Sequence, residues 1–184
     1  MRRVTKTVPV ETLVDLLFRL RRFMKVGLAH GCFNMIHAGH VRHFRAVKEQ
    51  CEVLVVGITP DRFVAQRQRV QAAIVCMRQR LLVPEGLRAE TVAALALVDY
   101  VVIDEHPHPA PLILALRPDV FAKGAEYEAD PTPAVVEAKA AVESYGGRML
   151  FTPGDVVFSV SALLEEYRGG APPYRDPWEG HQNV

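Results

Sequence analysis

Residues 31–40 read Gly31-Cys32-Phe33-Asn34-Met35-Ile36-His37-Ala38-Gly39-His40, and this stretch decides the fold. The apolar run Lys25 to Ala29 before it reads as a buried strand, and Ala38 to Glu49 after it as a helix. The stretch is therefore a turn from a strand into the start of a helix. Such a start presents free backbone N–H groups and the positive end of the helix dipole, so it attracts phosphate. Gly31, without a Cβ, is expected at the centre of a tight turn against a ligand, and Gly39 to let phosphates approach the helix start closely. His37 and His40, three positions apart, project from one face of the first turn. Two imidazoles there suit a triphosphate and the charge that grows at an attacked phosphorus, chemistry that needs in-line positioning and charge stabilisation. The plainer readings are a surface His-x-x-His pair or half of a metal site. For a metal site a third ligand is not evident: His43 lies six positions after His37 and is expected to drift off the face.

Working outward, strand-like and helix-like segments alternate. A helix is expected over Val10 to Phe23, with Leu13, Leu16, Leu17 and Leu20 as its apolar stripe, broken by Asp15 and Arg19. Val53 to Ile58 is a continuous apolar run suited to the middle of a parallel sheet. Helices follow at Glu85 to Leu97, Pro111 to Leu116, Thr132 to Tyr145 and Ser159 to Tyr167. Strands follow at Tyr100 to Ile103, Asp119 to Ala122 and Arg148 to Phe151. The alternation predicts an α/β fold: a Rossmann-like, three-layer domain whose parallel five-stranded sheet carries helices on both faces. Such sheets bind ligands beyond the carboxyl ends of their strands, where the strand order reverses. The expected organisation is a docking helix over residues 1–24, one domain over 25–168, and an extended or disordered tail over 169–184, which lacks periodicity.

The bulk numbers exclude several classes. Formal charge is balanced at +1 over 184 residues, which gives no global case for nucleic acid or an anionic membrane. No apolar run is long and uncharged enough to span a bilayer, and the N-terminus lacks the features of a signal peptide. The cysteines are three, Cys32, Cys51 and Cys76, with no CxxC spacing. A reducing, cytoplasmic setting is expected over a disulfide framework or structural zinc.

The stretch Gly31-Cys32-Phe33-Asn34-Met35-Ile36-His37-Ala38-Gly39-His40-Val41-Arg42-His43-Phe44 resembles the Gly-x-Phe-Asp-x-x-His-x-Gly-His signature of the cytidylyltransferase-like nucleotidyltransferases. Further segments resemble the same family in the same order. They are Val55 to Arg62, Leu87 to Glu90, Val98 to Val101, Arg117 to Val120, Lys123 to Tyr127 and Phe158 to Ser161. The likeness covers nearly all of residues 25–167. It leans toward the nucleotidyltransferase half of the bifunctional ADP-heptose synthases, which transfer AMP from ATP to a heptose 1-phosphate. The likeness is to that half alone, and a transferase unit without the kinase half is the expectation.

The resemblance implies site roles. Gly31, Cys32 and Phe33 would line the nucleotide phosphates through their backbone, with Gly39 beside them. His37 and His40 would contact the α- and β-phosphates and stabilise the transition state. Lys123, a catalytic candidate, and Gly124 would border the nucleoside and substrate pockets. Asn34, Glu126 and Tyr127 would face the substrate, and Ser159 and Ser161 would grip the β- and γ-phosphates. Arg88 would bind ligand or support a dimer interface. The plain alternatives are a solvated lysine at Lys123, simple N-capping by Ser159 and an exposed helix salt bridge at Arg88. The resemblance also implies Mg²⁺ carried with the nucleoside triphosphate, a phosphorylated small-molecule partner and a homodimer.

Three departures from the family pattern stand out. Asn34 replaces the usual Asp, removing a charge while keeping a turn-capping oxygen. Val160 replaces a common hydroxyl. A glycine-rich loop after Arg62 gives way to Gln66-Arg67-Gln68-Arg69 and an apolar stripe of Val70, Ile74, Met77 and Leu81, an amphipathic helix pattern. Arg67 and Arg69 are expected either to meet the triphosphate or to form a solvated basic face or subunit contact. Two rivals to AMP transfer stay open: a CTP-dependent cytidylyltransferase acting on glycerol phosphate or a related alcohol phosphate, and a nucleotide-binding regulatory protein that has lost catalysis.

Overall fold

All six residues of β2 (Val53–Ile58) are buried, and the rest of the chain is arranged around this strand. The computed structural model describes residues 5–64 and 83–153. The strands are β1 (Val26–Gly31), β2, β3 (Tyr100–Ile103), β4 (Val120–Gly124) and β5 (Arg148–Thr152). They form one sheet in the order β3-β2-β1-β4-β5, and every neighbouring pair runs parallel. The helices are α1 (Val10–Leu20), α2 (Ala38–Lys48), α3 (Glu85–Ala93), α4 (Ala110–Leu116), α5 (Glu126–Ala129) and α6 (Pro133–Glu143). This is the Rossmann-like α/β architecture expected from the alternation of elements.

Alternate strand residues point to opposite faces, and they sort the core into two layers. Val26, Leu28, Val53, Val55, Val102 and Phe121 pack with Leu13 and Leu17 of α1, Leu112, Ile113 and Leu116 of α4, and Ala138 and Val142 of α6. Ala29, Leu54, Val56, Ile58, Val101 and Ala122 pack on the other face with Phe44 and Val47 of α2 and Ala89 and Val92 of α3. Burying each such Val, Leu or Ile is worth about 1.5–3 kcal/mol. Two carboxylates fix the strand beginnings: Asp119 accepts from the Val26 N–H at 2.8 Å and Asp99 from the Leu54 N–H at 2.7 Å.

The strand order reverses between β1 and β4. From β1 the chain moves outward through β2 to β3, then returns to add β4 and β5 on the other side. The carboxyl ends of β1 and β4 thus flank the crevice where such sheets take ligands. The outer border of β3 carries one more piece of chain. Thr7 forms a parallel bridge with Val101. The Val101 N–H donates to the Lys6 carbonyl at 2.9 Å and the Val8 N–H to the Val101 carbonyl at 3.0 Å. The Lys6 ammonium caps the Leu95 and Val98 carbonyls at 2.9 and 2.7 Å.

The expected elements correspond to the observed ones with small shifts at their ends. Helix α3 stops at Ala93 rather than Leu97. The four-residue α5 was not anticipated, being too short for an apolar period to show. α4 ends where Arg117 takes a left-handed φ of 45° ahead of Pro118, a conformation that stops a helix. The readings at Arg67, Arg69, the Val70 to Leu81 stripe, Val160, Ser159, Ser161, the last helix and the tail lie outside the described residues.

Candidate functional site

β1 continues through Gly31, so the turn starts at Cys32 and the expectation of a Gly31-centred turn is corrected. The left-handed residue is Phe33, with φ 49°. A non-glycine side chain rarely adopts that conformation, which concentrates at ligand sites. Gly31 serves instead as clearance: a Cβ there would lie 3.1 Å from the tip of the Phe33 ring. The ring tucks back under the strand end and meets His40 edge-on, with centroids 5.2 Å apart and planes at 72°. It also packs on Phe44 at 5.2 Å.

Helix α2 opens immediately after this turn. His37 is its N-cap residue, in extended conformation, and no acidic side chain lies in the first turn. Gly39 and His40 both sit within that turn, where the backbone amides have no partner inside the helix. The His37 and His40 rings lie nearly face to face, with centroids 3.9 Å apart and planes at 33°. Burial lowers the pKa of His37. Burial, followed by the neighbouring His37, lowers His40 to about 4, partly opposed by a hydrogen bond with the Met35 backbone. At neutral pH the cradle is thus built of neutral imidazoles and dipoles, and an incoming polyanion would supply the charge that favours their protonation.

Lys123 on β4 faces the same crevice. Its ammonium donates to the His30 carbonyl at 2.7 Å and sits 5.4 Å from the centre of the Tyr127 ring. This is a lysine engaged at the strand end, and the plain reading of a freely solvated lysine is set aside. Gly124 is the last residue of β4. The Glu126 carboxylate folds back onto its Cα, where a Cβ would collide with it. Glu126 and Tyr127 both belong to α5. Gly31, Cys32, Phe33, His37, Gly39, His40, Lys123, Gly124, Glu126 and Tyr127 therefore gather at the carboxyl ends of β1 and β4.

Arg88 is not on the surface, which corrects the reading of an exposed helix salt bridge. It is 1% exposed at the first turns of α3. Its Nε donates to the Val83 carbonyl at 2.8 Å. One terminal nitrogen donates to the Cys32 carbonyl. The other donates to the Thr59 carbonyl at 2.8 Å and the Asp61 carboxylate at 2.6 Å. A guanidinium has five N–H donors in a fixed fork, and here they tie the turn after β1 to the end of β2 and the entry to α3. Asn34 adds to the same tie, accepting from the Val83 N–H at 2.7 Å through its side-chain oxygen. The turn-capping oxygen shared by Asn and Asp is the part of that side chain in use.

His43 is the residue that sequence reasoning set aside. Instead of drifting away, its Nδ1 lies 2.7 Å from the Thr152 hydroxyl at the end of β5. That hydroxyl in turn donates to the Lys123 carbonyl at 3.3 Å. Burial, then Lys123 and His40, lowers the His43 pKa to about 4. The 3-residue spacing of His37, His40 and His43 was a usable signal, because successive steps of three stay within one broad helix face. Among the described residues no group of three or more His, Cys, Asp or Glu side chains is arranged to hold a metal ion. No helix among them is long and apolar enough to cross a membrane.

Comparison with known proteins gives the family and the fold. Residues 28–151 match the model of the cytidylyltransferase-like family. The bifunctional protein HldE of Syntrophotalea carbinolica is 38% identical over 165 residues, covering 87% of this chain and 31% of that protein. The HldE protein of Acidiphilium cryptum is 41% identical over 130 residues, covering 71% of this chain and 24% of that protein. The chain thus spans about a quarter to a third of the length of these relatives. Among solved structures, pantoate-beta-alanine ligase from Francisella tularensis, crystallised with beta-gamma ATP and beta-alanine, aligns with a TM-score of 0.56. Its identity is 12%, over 98% of this chain and 82% of that one. A lipopolysaccharide core biosynthesis protein from Thermoplasma volcanium aligns with a TM-score of 0.54 at 18% identity, over 71% of this chain and 95% of that one. At such identities the likeness is one of fold.

Proposed function

The chain belongs to the cytidylyltransferase-like family and is a nucleotidyltransferase, and from that premise we propose that it transfers AMP from ATP to a sugar 1-phosphate such as heptose 1-phosphate. The carrying observation is the start of α2: a helix N-terminus free of acidic side chains, two stacked imidazoles 3.9 Å apart, and Lys123 on the adjoining strand. The identity with the HldE proteins, and the Lys123 to Tyr127 stretch, support the sugar-phosphate acceptor over an alcohol phosphate.

In this reading the triphosphate lies across the turn, its oxygens taking N–H groups of the first turn of α2. An acceptor phosphate oxygen attacks the α-phosphorus in line. The new P–O bond forms as the bond to the β-phosphate breaks, and pyrophosphate leaves. No general base is needed, because a phosphate dianion is already nucleophilic. His37 and His40 donate hydrogen bonds to the oxygens on which charge accumulates. Lys123 adds positive charge from the β4 side, and His43 with Thr152 holds that strand end against α2. Mg²⁺ would enter with the triphosphate, held by phosphate oxygens and water rather than by the amides and imidazoles of the cradle. When bound, it neutralises charge on the leaving pyrophosphate. The homodimer and the transferase unit over residues 25–168 belong to the same proposal.

The test is pyrophosphate release from ATP, CTP, GTP and UTP, each with heptose 1-phosphate, mannose 1-phosphate and glycerol phosphate, with products identified by mass. An ADP-sugar is expected. A CDP-alcohol as the main product would overturn the ATP assignment, and release from no pair would overturn the transfer itself. His40→Ala should lower kcat by roughly 10²–10³, with the thermal unfolding midpoint little changed. Wild-type turnover in that variant would remove His40 from the mechanism.

A further inference from the structure

A second group of titratable side chains lies at the carboxyl edge of the sheet, away from the phosphate turn. His30 of β1 is buried, and its Nε2 lies 3.0 Å from one oxygen of Asp104. The His30 ring fits there because Gly57 on the next strand lacks a Cβ, which would stand 2.8 Å from His30 Cδ2. Asp104 is fully buried. Its other oxygen accepts from the His106 backbone N–H at 3.1 Å and lies 2.9 Å from His106 Nδ1. These bonds hold the Asp104 carboxyl below its usual pKa against the opposing effect of burial. An ionised carboxylate accepts only, so both facing imidazole nitrogens carry hydrogen. His106 is the outer member, with half of its side chain exposed.

A buried carboxylate is costly, and an apolar pair of similar volume often serves stability as well or better. What this one achieves is orientation: it fixes the ring and tautomer of the partly exposed His106, as a carboxylate does for a working histidine. The position is equally defined. Gly31, Ile58 and Ile103 stand in register across β1, β2 and β3. The Thr59 N–H then donates to Gly31 at 2.9 Å and the Asp104 N–H to Ile58 at 3.0 Å, carrying that level into the loops. Asp104 is thus two strand spacings, about 10 Å, from the phosphate turn. Between them lies Thr59, whose hydroxyl is buried without a hydrogen-bond partner among the described residues. Beside them Arg62 donates to the Glu105 carbonyl at 2.8 Å.

We propose that His106 is a specificity-determining contact for the acceptor, taking a hydrogen bond through Nε2 from a hydroxyl of a polyhydroxylated phosphate ester laid over the ends of β2 and β3. This rests on the nucleotidyltransferase reading. The nucleotide occupies the crevice between β1 and β4, which leaves the β2–β3 flank for the second substrate. Charge selects a hydroxyl over a phosphate: the Asp104 carboxylate behind the ring repels a second anion, and with Nδ1 engaged by that carboxylate, Nε2 is the ring nitrogen left to meet a ligand.

The experiment compares wild type, His106→Ala and His106→Gln, with heptose 1-phosphate and mannose 1-phosphate as acceptors and ATP as donor. His106→Ala should raise the KM for acceptor about tenfold, the size of one lost hydrogen bond, and leave the KM for ATP within about twofold. His106→Gln keeps an acceptor oxygen and should recover part of the loss. Deoxy acceptors, each missing one hydroxyl, should include one that wild type handles as poorly as His106→Ala handles the parent. An unchanged acceptor KM, or equal rises in both KM values, would overturn the assignment. Wild type inactive with every pair would instead overturn the transfer reading and this contact with it.

Discussion

His37 and His40 illustrate what a residue's surroundings add to its identity. The spacing placed both on one face of a helix start, and that much was legible from sequence. Their depressed basicity was not, because it comes from burial in the folded structure, to which the neighbouring His37 adds at His40. A polyphosphate reaching these rings favours their charged forms and raises both pKa values toward or above the ordinary imidazole range. The sign follows: nucleotide binding takes up protons, and affinity rises as pH falls from 7 toward 5. Calorimetric titration of the protein with ATP in two buffers of different ionisation enthalpy, near pH 6.5, should show fractional proton uptake that shrinks in His40→Ala. Buffer-independent heats would contradict the neutral cradle. His43 was misjudged for a related reason: helical spacing locates a side chain on a face, but its partner Thr152 arrives from β5, 109 residues later.

Arg88 is decided at the scale of elements. Its sequence position at the start of a helix suggested a ligand contact or a surface pair. The structure sets the surface pair aside: α3 packs so that the guanidinium lies inside the corner formed by the turn after β1, β2 and Asp61. Replacing it with Leu removes the donors from three backbone carbonyls and a carboxylate at once. The expected cost is about 3–5 kcal/mol in urea unfolding, and Lys should recover less than half of it because an ammonium cannot reproduce the planar fork. Nucleotide affinity should fall in both variants, since the Cys32 carbonyl loses its tether. Stability within 1 kcal/mol of wild type, on the scale of a surface pair, would show that the corner holds without the guanidinium. The strands were the most legible elements. Val53 to Ile58 and Tyr100 to Ile103 were read with their observed ends, because short uncharged runs rich in Val and Ile leave few alternatives. Gly31 was placed in the wrong element: a glycine reads as a turn residue, and only the structure reveals a ring that requires the empty space.

At the scale of the whole molecule, one topological fact organises the rest. Because β4 returns to the other side of β1 from β2, the helix start of α2 and the end of β4 come together although Ala38 and Gly124 are 86 residues apart in sequence. The alternation of elements implied a parallel sheet, but the grouping of Lys123 with His37 and His40 needed that order. What the alternation left unseen is the contribution of the segment before α1. β3 is the outermost strand of its side, and an outermost strand offers unpaired amides and carbonyls to any similar strand. Here residues 6–8 take up the outward N–H and carbonyl of Val101, at the middle of that row, and the Lys6 ammonium fastens them. This short ribbon therefore shields the border of β3 from edge-to-edge pairing with another strand. A chain beginning at Val10 should keep its α1 packing yet form soluble aggregates at concentrations where the parent stays dispersed, a difference that light scattering would register. Appending Lys or Pro residues along β3 should then do the ribbon's work by other means.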